Sequence, residues 1–177
     1  LPIYVWTIPH VHAAFLLKQI LYMIQKLIVH GADVNACDNQ GQSVLMYAIN
    51  SEVDDHKKII DYLISQGADV NARDNKGQSV LMHARFKTPF KFLVDHGADV
   101  NACDNKGQSV LMHAFKSDFD GFRAVNTTQK NIEYLVDHGA DVKACDKQGQ
   151  SVLMYAVKYL HNQKLIKLLV KNGANIN

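Results

Sequence analysis

The string GADVNACDNQGQSVLMYA begins at Gly31 and returns as GADVNARDNKGQSVLMHA at Gly67, GADVNACDNKGQSVLMHA at Gly97 and GADVKACDKQGQSVLMYA at Gly139. A partial copy, GANIN, begins at Gly173, so the leading glycines stand 36, 30, 42 and 34 residues apart. Inside every full copy the first Gly and the Asp that follows the Cys or Arg are 7 residues apart, and the two Gly residues 10. All variation in length falls in the less similar stretch after the copy. A period of this size with fixed internal spacing means supersecondary units that cover one another's apolar faces in a row.

Counted backwards from the next Gly, the variable stretch has a register of its own. Leu27–Ile28, Leu63–Ile64, Leu93–Val94, Leu135–Val136 and Leu169–Val170 lie four and three residues before it. Met23–Ile24, Ile59–Ile60, Pro89–Phe90, Asn131–Ile132 and Leu165–Ile166 lie eight and seven before it. Apolar pairs four residues apart make one buried stripe of a helix. The Gly suits the left-handed residue just past that helix, and His30, His96 and His138 precede it, placed to cap the last carbonyls. Asp38-x-x-Gly41 and its copies have the residues of a type I turn. Ser43, Ser79, Ser109 and Ser151 are placed to cap a first helix, whose apolar residues are Val44, Leu45, Met46 and Ala48 in the first full copy. Asp54–Asp55, Thr88 before Pro89, Thr127–Thr128 and Asn162 offer starts for a second helix. Each unit reads turn, helix, loop, helix, turn.

Gly-Ala-Asp-Val-Asn followed by Asp-x-x-Gly-x-Ser-x-Leu-x-x-Ala resembles the ankyrin repeat, whose usual length is about 33 residues. The resemblance covers residues 31–177. Thr7 stands 24 residues before Gly31, as Ser43 does before Gly67, which extends it to a degenerate unit over residues 2–37. Further units are expected at 38–73, 74–103, 104–145 and 146–177, with an insertion at 116–130. The resemblance implies an all-α fold, an α-solenoid with short β-hairpin-like turns along one edge. Ankyrin repeats usually carry Thr-Pro-Leu-His at the start of the first helix, and every copy here has Ser-Val-Leu-Met. Ser keeps the capping hydroxyl, Val gives up the preset dihedral of Pro, and Met exchanges a hydrogen-bonding imidazole for soft apolar packing. The chain opens at Leu1 and stops at Asn177 just after a turn motif, so both ends are expected to be cut from something longer, the C-terminal cut exposing apolar surface.

Composition and spacing argue against the commoner chemistries. A net charge of +2 gives no reason to expect nucleic acid. The most hydrophobic run, Ala13–Val29, is interrupted by Lys18, Gln19, Gln25 and Lys26, so no membrane insertion is expected. Cys37, Cys103 and Cys145 form no C-x-x-C pair, and neighbouring repeats stand about 8–10 Å apart, beyond disulfide reach. Reduced thiols fit an intracellular, cytoplasmic compartment, that of a host cell if the chain is a pathogen effector. His83 and His113 alternate with Tyr47 and Tyr155 at one slot of the first helix, and a slot that accepts Tyr is not a metal-ligand slot. No metal and no cofactor are expected. Ser43 and its copies recur as caps, which one catalytic site does not need, and no phosphate-binding glycine string is present. The chain is expected not to be an enzyme. Lys158, Lys164, Lys167 and Lys171 fall opposite Leu165, Leu169 and Val170, as a solvated outer face would.

The function the resemblance implies is recognition of another protein on the concave surface made by hairpin tips and first helices. Carried onto this sequence, that surface takes Asn39, Gln40 and Gln42 from the first tip and Asn75, Lys76 and Gln78 from the second. Asn105, Lys106 and Gln108 come from the third, and Lys147, Gln148 and Gln150 from the fourth. Asn50, Phe86, Lys116 and Lys158 add the ends of the first helices. The stretch Lys116–Lys130 is unlike its counterparts. Its Phe119, Phe122 and Arg123 are residue types favoured at interface hot spots, on what reads either as a functional loop or as a surface insertion folded back on the stack. A monomer is expected. Two other readings stay open: a structural spacer whose near-identical tips read nothing, and the targeting array of a larger enzyme or effector.

Overall fold

The computed structural model describes residues 9–51, 57–84, 90–116, 125–159 and 162–175. Among them run nine helices: α1 (Pro9–Val29), α2 (Val44–Asn50), α3 (Lys57–Ser65), α4 (Val80–His83), α5 (Phe90–Asp95), α6 (Val110–Lys116), α7 (Val125–Asp137), α8 (Val152–Tyr159) and α9 (Gln163–Lys171). From α2 onward they pair in chain order, α2 with α3 and so on to α8 with α9. The first members, α2, α4, α6 and α8, pack side by side in one row, and α5, α7 and α9 in a second. The chain is an all-α solenoid. Its only strand-like pairing among the described residues is one antiparallel bridge per unit, Cys37 with Ser43, Arg73 with Ser79, Cys103 with Ser109 and Cys145 with Ser151.

Local chemistry sets the helix ends. Ser43, Ser109 and Ser151 Oγ accept the amides of Met46, Met112 and Met154 at 3.3, 3.4 and 3.3 Å, satisfying one of the orphan donors of each first turn. Ser79 does not cap. The short α4 tightens so that the Met82 amide bonds the Ser79 carbonyl at 3.0 Å, and Ser79 Oγ is left buried without a partner. Asn162 caps α9 through the amides of Lys164 and Leu165. Thr127–Thr128 are not a cap, because α7 already begins at Val125. The starts expected at Asp54–Asp55 and Thr88 lie outside the described residues. The second helices end on a left-handed Gly, as at Gly67 (φ 90°), where the Ala68 amide closes back on the Leu63 carbonyl at 2.9 Å.

One core runs the length of the stack. Leu45, Met46, Ile60 and Leu63 fill the first pair, Leu81 and Leu93 the second, Leu111, Met112, Phe115, Ile132 and Leu135 the third, and Val152, Leu165 and Leu169 the fourth. Fully burying each such side chain contributes about 1.5–3 kcal/mol. The Leu four residues before the next Gly is buried in all four pairs, so the backward register holds from α3 to α9.

The two ends depart from this pattern. Where a degenerate two-helix unit was expected, Pro9–Val29 is one unbroken helix, and between His10 and Val29 the sequence has no Gly, Pro or turn cluster to interrupt it. Its stripe is also rotated. Ile20, Leu21, Ile24 and Ile28 pack on the core, while Met23 and Leu27 are 58% and 57% exposed, since no described helix pairs with α1 as α2 pairs with α3. At the other end Met154 and Val157 are 54% and 53% exposed, whereas Met46, Met112, Ile49 and Phe115 at the same two slots lie buried beneath the following unit. Val170, expected inside, is exposed there too.

Candidate partner-binding surface

Each hairpin is built around one carboxylate. Asp38 Oδ1 accepts the amides of Gln40 and Gln42, both at 2.8 Å, and Gly41 N–H bonds the Asp38 carbonyl at 2.9 Å. Asp74, Asp104 and Asp146 repeat the arrangement. The second oxygen faces the slot where Tyr and His alternate. Tyr47 and Tyr155 donate their hydroxyls to Asp38 and Asp146 at 2.9 and 2.8 Å, and the rings of His83 and His113 bond Asp74 and Asp104 through Nε2 at 3.1 and 3.0 Å. The slot needs a donor about one helical turn past the cap, and phenol and imidazole both supply one. Burial pushes the Asp104 carboxyl up, but the His113 ring and the amides of Gln108 and Lys106 outweigh it and hold it below the usual range. The Gln42 amide, then the Tyr47 hydroxyl and Gln40 amide, do the same for Asp38 against its desolvation. Burial and the bond to Asp146 push the Tyr155 hydroxyl up to about 12.

Neighbouring hairpins are laced by asparagines. Asn35 Nδ2 donates to the Gly67 carbonyl at 3.0 Å and its Oδ1 accepts the Asp69 amide at 2.8 Å. Asn71 and Asn101 make the same two bonds to the units after them. At the tips Asn75 Nδ2 reaches the Asn39 carbonyl at 2.9 Å and Asn105 Nδ2 the Asn75 carbonyl at 3.0 Å. The tip glycine permits this approach: a Cβ on Gly41, whose φ is +75°, would stand 2.6 Å from Asn75 Oδ1 and 2.9 Å from Asn75 N. Asn35, Asn71 and Asn101 had no role assigned from the sequence; their recurrence, with Lys143 as the exception, was the available signal.

These bonds sort the expected binding residues. Asn39, Gln40, Lys76, Lys106, Lys147 and Gln148 are exposed along the tips, with Gln42, Gln78 and Gln150 partly covered. Asn75 and Asn105 are exposed but already committed to the lace. Gln108 is not a tip residue: it is 8% exposed, its Nε2 donating to Tyr155 Oη at 2.9 Å and its Oε1 accepting from Lys116 Nζ at 2.5 Å. The next unit's Tyr155 has closed over it. Asn50 is exposed and 3.4 Å from His83 Nδ1. Phe86, Phe119, Phe122 and Arg123 lie outside the described residues. The stretch 116–130 is less of a loop than expected, since Lys116 ends α6 and residues 125–130 belong to α7.

The remaining reactive side chains are accounted for locally. Cys37, Cys103 and Cys145 are free and exposed, and burial pushes the Cys103 thiol up. His30, His96 and His138 bond through Nδ1 to the carbonyls of Lys26, Phe92 and Tyr134. Among the described residues no group of three or more His, Cys, Asp or Glu could hold a metal ion. A family model for ankyrin repeats, three copies long, matches residues 10–101 and again 87–177. The chain belongs to the ankyrin-repeat family. Ankyrin repeats are protein–protein interaction modules and are typically non-catalytic. A comparison with curated proteins found no match. Among the described residues of this ankyrin array no helix is long and apolar enough to cross a membrane.

Proposed function

We propose that this ankyrin array binds a partner protein along the face made by α2, α4, α6, α8 and the hairpin tips. The observation that supports it is the lace. Hairpins tied to one another by Asn35, Asn71, Asn101, Asn75 and Asn105 hold exposed side chains at Gln40, Lys76, Lys106 and Gln148 on a backbone that has little conformational freedom left to lose on binding. The three exposed thiols suit a reducing, intracellular setting, and the array acts as a monomer.

The test is capture of a partner from lysate by the chain and by two variants. Gln40→Ala/Lys76→Ala/Gln148→Ala changes the tips; Lys57→Ala/Lys91→Ala/Lys167→Ala changes the second helices α3, α5 and α9. Capture lost by the first and kept by the second, with melting temperatures unchanged, supports the reading. Capture kept by both but lost when residues 117–124 are replaced by a short Gly-Ser turn would move recognition to the insertion, with Phe119, Phe122 and Arg123 the first suspects. No partner at all would favour a spacer.

A further inference from the structure

We propose that the segment this face takes is acidic and extended, with carboxylates about every third residue. This rests on the face being the recognition surface and adds the partner's chemistry. The charges at the turns of the face are sorted by sign. The carboxylates that open its turns, Asp38, Asp74, Asp104 and Asp146, are held by the hairpin's own donors, each taking two backbone amides on one oxygen and a Tyr or His proton on the other, while Asp33, Asp69, Asp99 and Asp141, exposed at the hairpin bases, each accept one backbone amide. The face's cations point out: Lys76, Lys106 and Lys147 on the tips and Lys158 near the end of α8 are all exposed. Lys116, at the end of α6, is half-buried over the Tyr155 ring. Among the described residues the ion pairs are His83 with Asp74 and His113 with Asp104, and none of these lysines pairs with a carboxylate.

Spacing sets the register of the partner. The Lys76 carbonyl accepts the Asn105 amide and the Lys106 carbonyl the Lys147 amide, both at 2.9 Å, so the tip lysines ride on consecutive, directly bonded hairpins. Units packed at about 8–10 Å match one turn of an extended polyproline II segment, three residues rising about 3.1 Å each, whose every third side chain falls on the same side. A carboxylate at every third position meets one lysine after another. Amide side chains at the two ends of the row of cations, Asn39 and Gln40 on the first tip and Gln148 on the fourth, suit the donors and acceptors of a peptide backbone. A nucleic-acid phosphate is served worse. Net charge is +2, and among the described residues the one guanidinium fork, the group that best grips phosphate, is committed at Arg73 to the Cys103 and Gly77 carbonyls, at 2.6 and 3.4 Å.

Fluorescence anisotropy with defined probes tests this at low ionic strength, where a rim of charges acts most strongly. The probes are a labelled Glu-Gly-Ser repeat about twelve residues long, roughly four hairpin spacings, a Lys-Gly-Ser repeat of equal length, and an oligouridylate. The acidic probe is expected to bind at least about tenfold more tightly than the basic one. Lys76→Gln/Lys106→Gln/Lys147→Gln should remove that preference, and the matching Lys→Arg set should keep it. Lys91→Gln/Lys130→Gln/Lys167→Gln on the second row should leave it within about twofold. Equal affinity for the acidic and basic probes, equal loss from the second-row set, or tighter binding of the oligouridylate would overturn the proposal. A captured partner that is insensitive to salt and to the three tip substitutions, yet lost with Gln40→Ala/Gln148→Ala, removes the acidic partner and leaves the face. A partner indifferent to every one of these changes removes both.

Discussion

Asn101 is an exposed residue, of a kind whose substitution ordinarily moves stability by less than about 0.5 kcal/mol. Its amide nevertheless spans two units, donating to the Gly139 carbonyl at 3.0 Å and accepting the Asp141 amide at 2.8 Å. Each such bond has a net value of about 0.5–1.5 kcal/mol. Gly139 and Asp141 are themselves exposed, so the groups freed by Asn101→Ala regain water and no burial penalty is added. The expected loss is therefore about 1–2 kcal/mol, toward the lower part of the sum of two bonds. It should be read from urea unfolding followed by far-UV circular dichroism, as a lower midpoint with an unchanged m-value. Lys143 stands at the same place in the fourth unit, so Lys143→Asn is the reverse experiment, expected to gain about 0.5–1.5 kcal/mol. A loss below about 0.5 kcal/mol for Asn101→Ala would mean that the lace orients hairpins without holding units together.

Leu111→Ala, at a side chain 1% exposed, should lose about 2–5 kcal/mol in the same assay, and Leu153→Ala, at the partly covered end of the stack, distinctly less; equal losses would contradict the stacking order. Gly149→Ala should carry only the left-handed strain of about 1–2 kcal/mol, since no atom lies within 4 Å of the added carbon. Gly41→Ala should lose more, having the same strain and a clash with Asn75, and parity between the two would remove the close approach from the account. Burial depresses the His113 pKa against the opposing pull of Asp104, with Lys116 and His83 adding to the depression. The unfolded chain therefore takes that proton first, and stability falls as pH drops below about 6.5. The Asp104 carboxyl, held down by the His113 ring and two backbone amides, acts in a lower window, its contribution present above about pH 4 and lost as pH falls through its folded value. His113→Tyr should flatten the melting temperature between pH 7 and 5 while keeping the acid limb; identical profiles would refute the assignment.

What could be read in the sequence is what repeats with a period. The helix pairs from α2 on, the Leu stripe of α3, α5, α7 and α9 and three of the four Ser caps follow from local rules that recur in every copy. Failures came where a residue's role is set by the neighbouring unit. Gln108 reads as a tip residue because nothing local shows that Tyr155 will cover it. Asn35, Asn71 and Asn101 drew no assignment because their partners sit a whole unit away. Ser79 has the cap residue, yet the helix it begins is only four residues long and tightens past it. Near α1 the missing signal was a break: apolar residues satisfied the backward register, but the absence of a helix stop between His10 and Val29 pointed to one long helix.

Amide hydrogen exchange on the array with and without a captured partner tests the central claim most directly. Protection gained in the tips and first helices, at 39–49, 75–83, 105–115 and 147–158, with α3, α5 and α9 unchanged, is the predicted footprint. Protection gained along α3, α5 and α9 instead, with the tips exchanging as in the free protein, would contradict it.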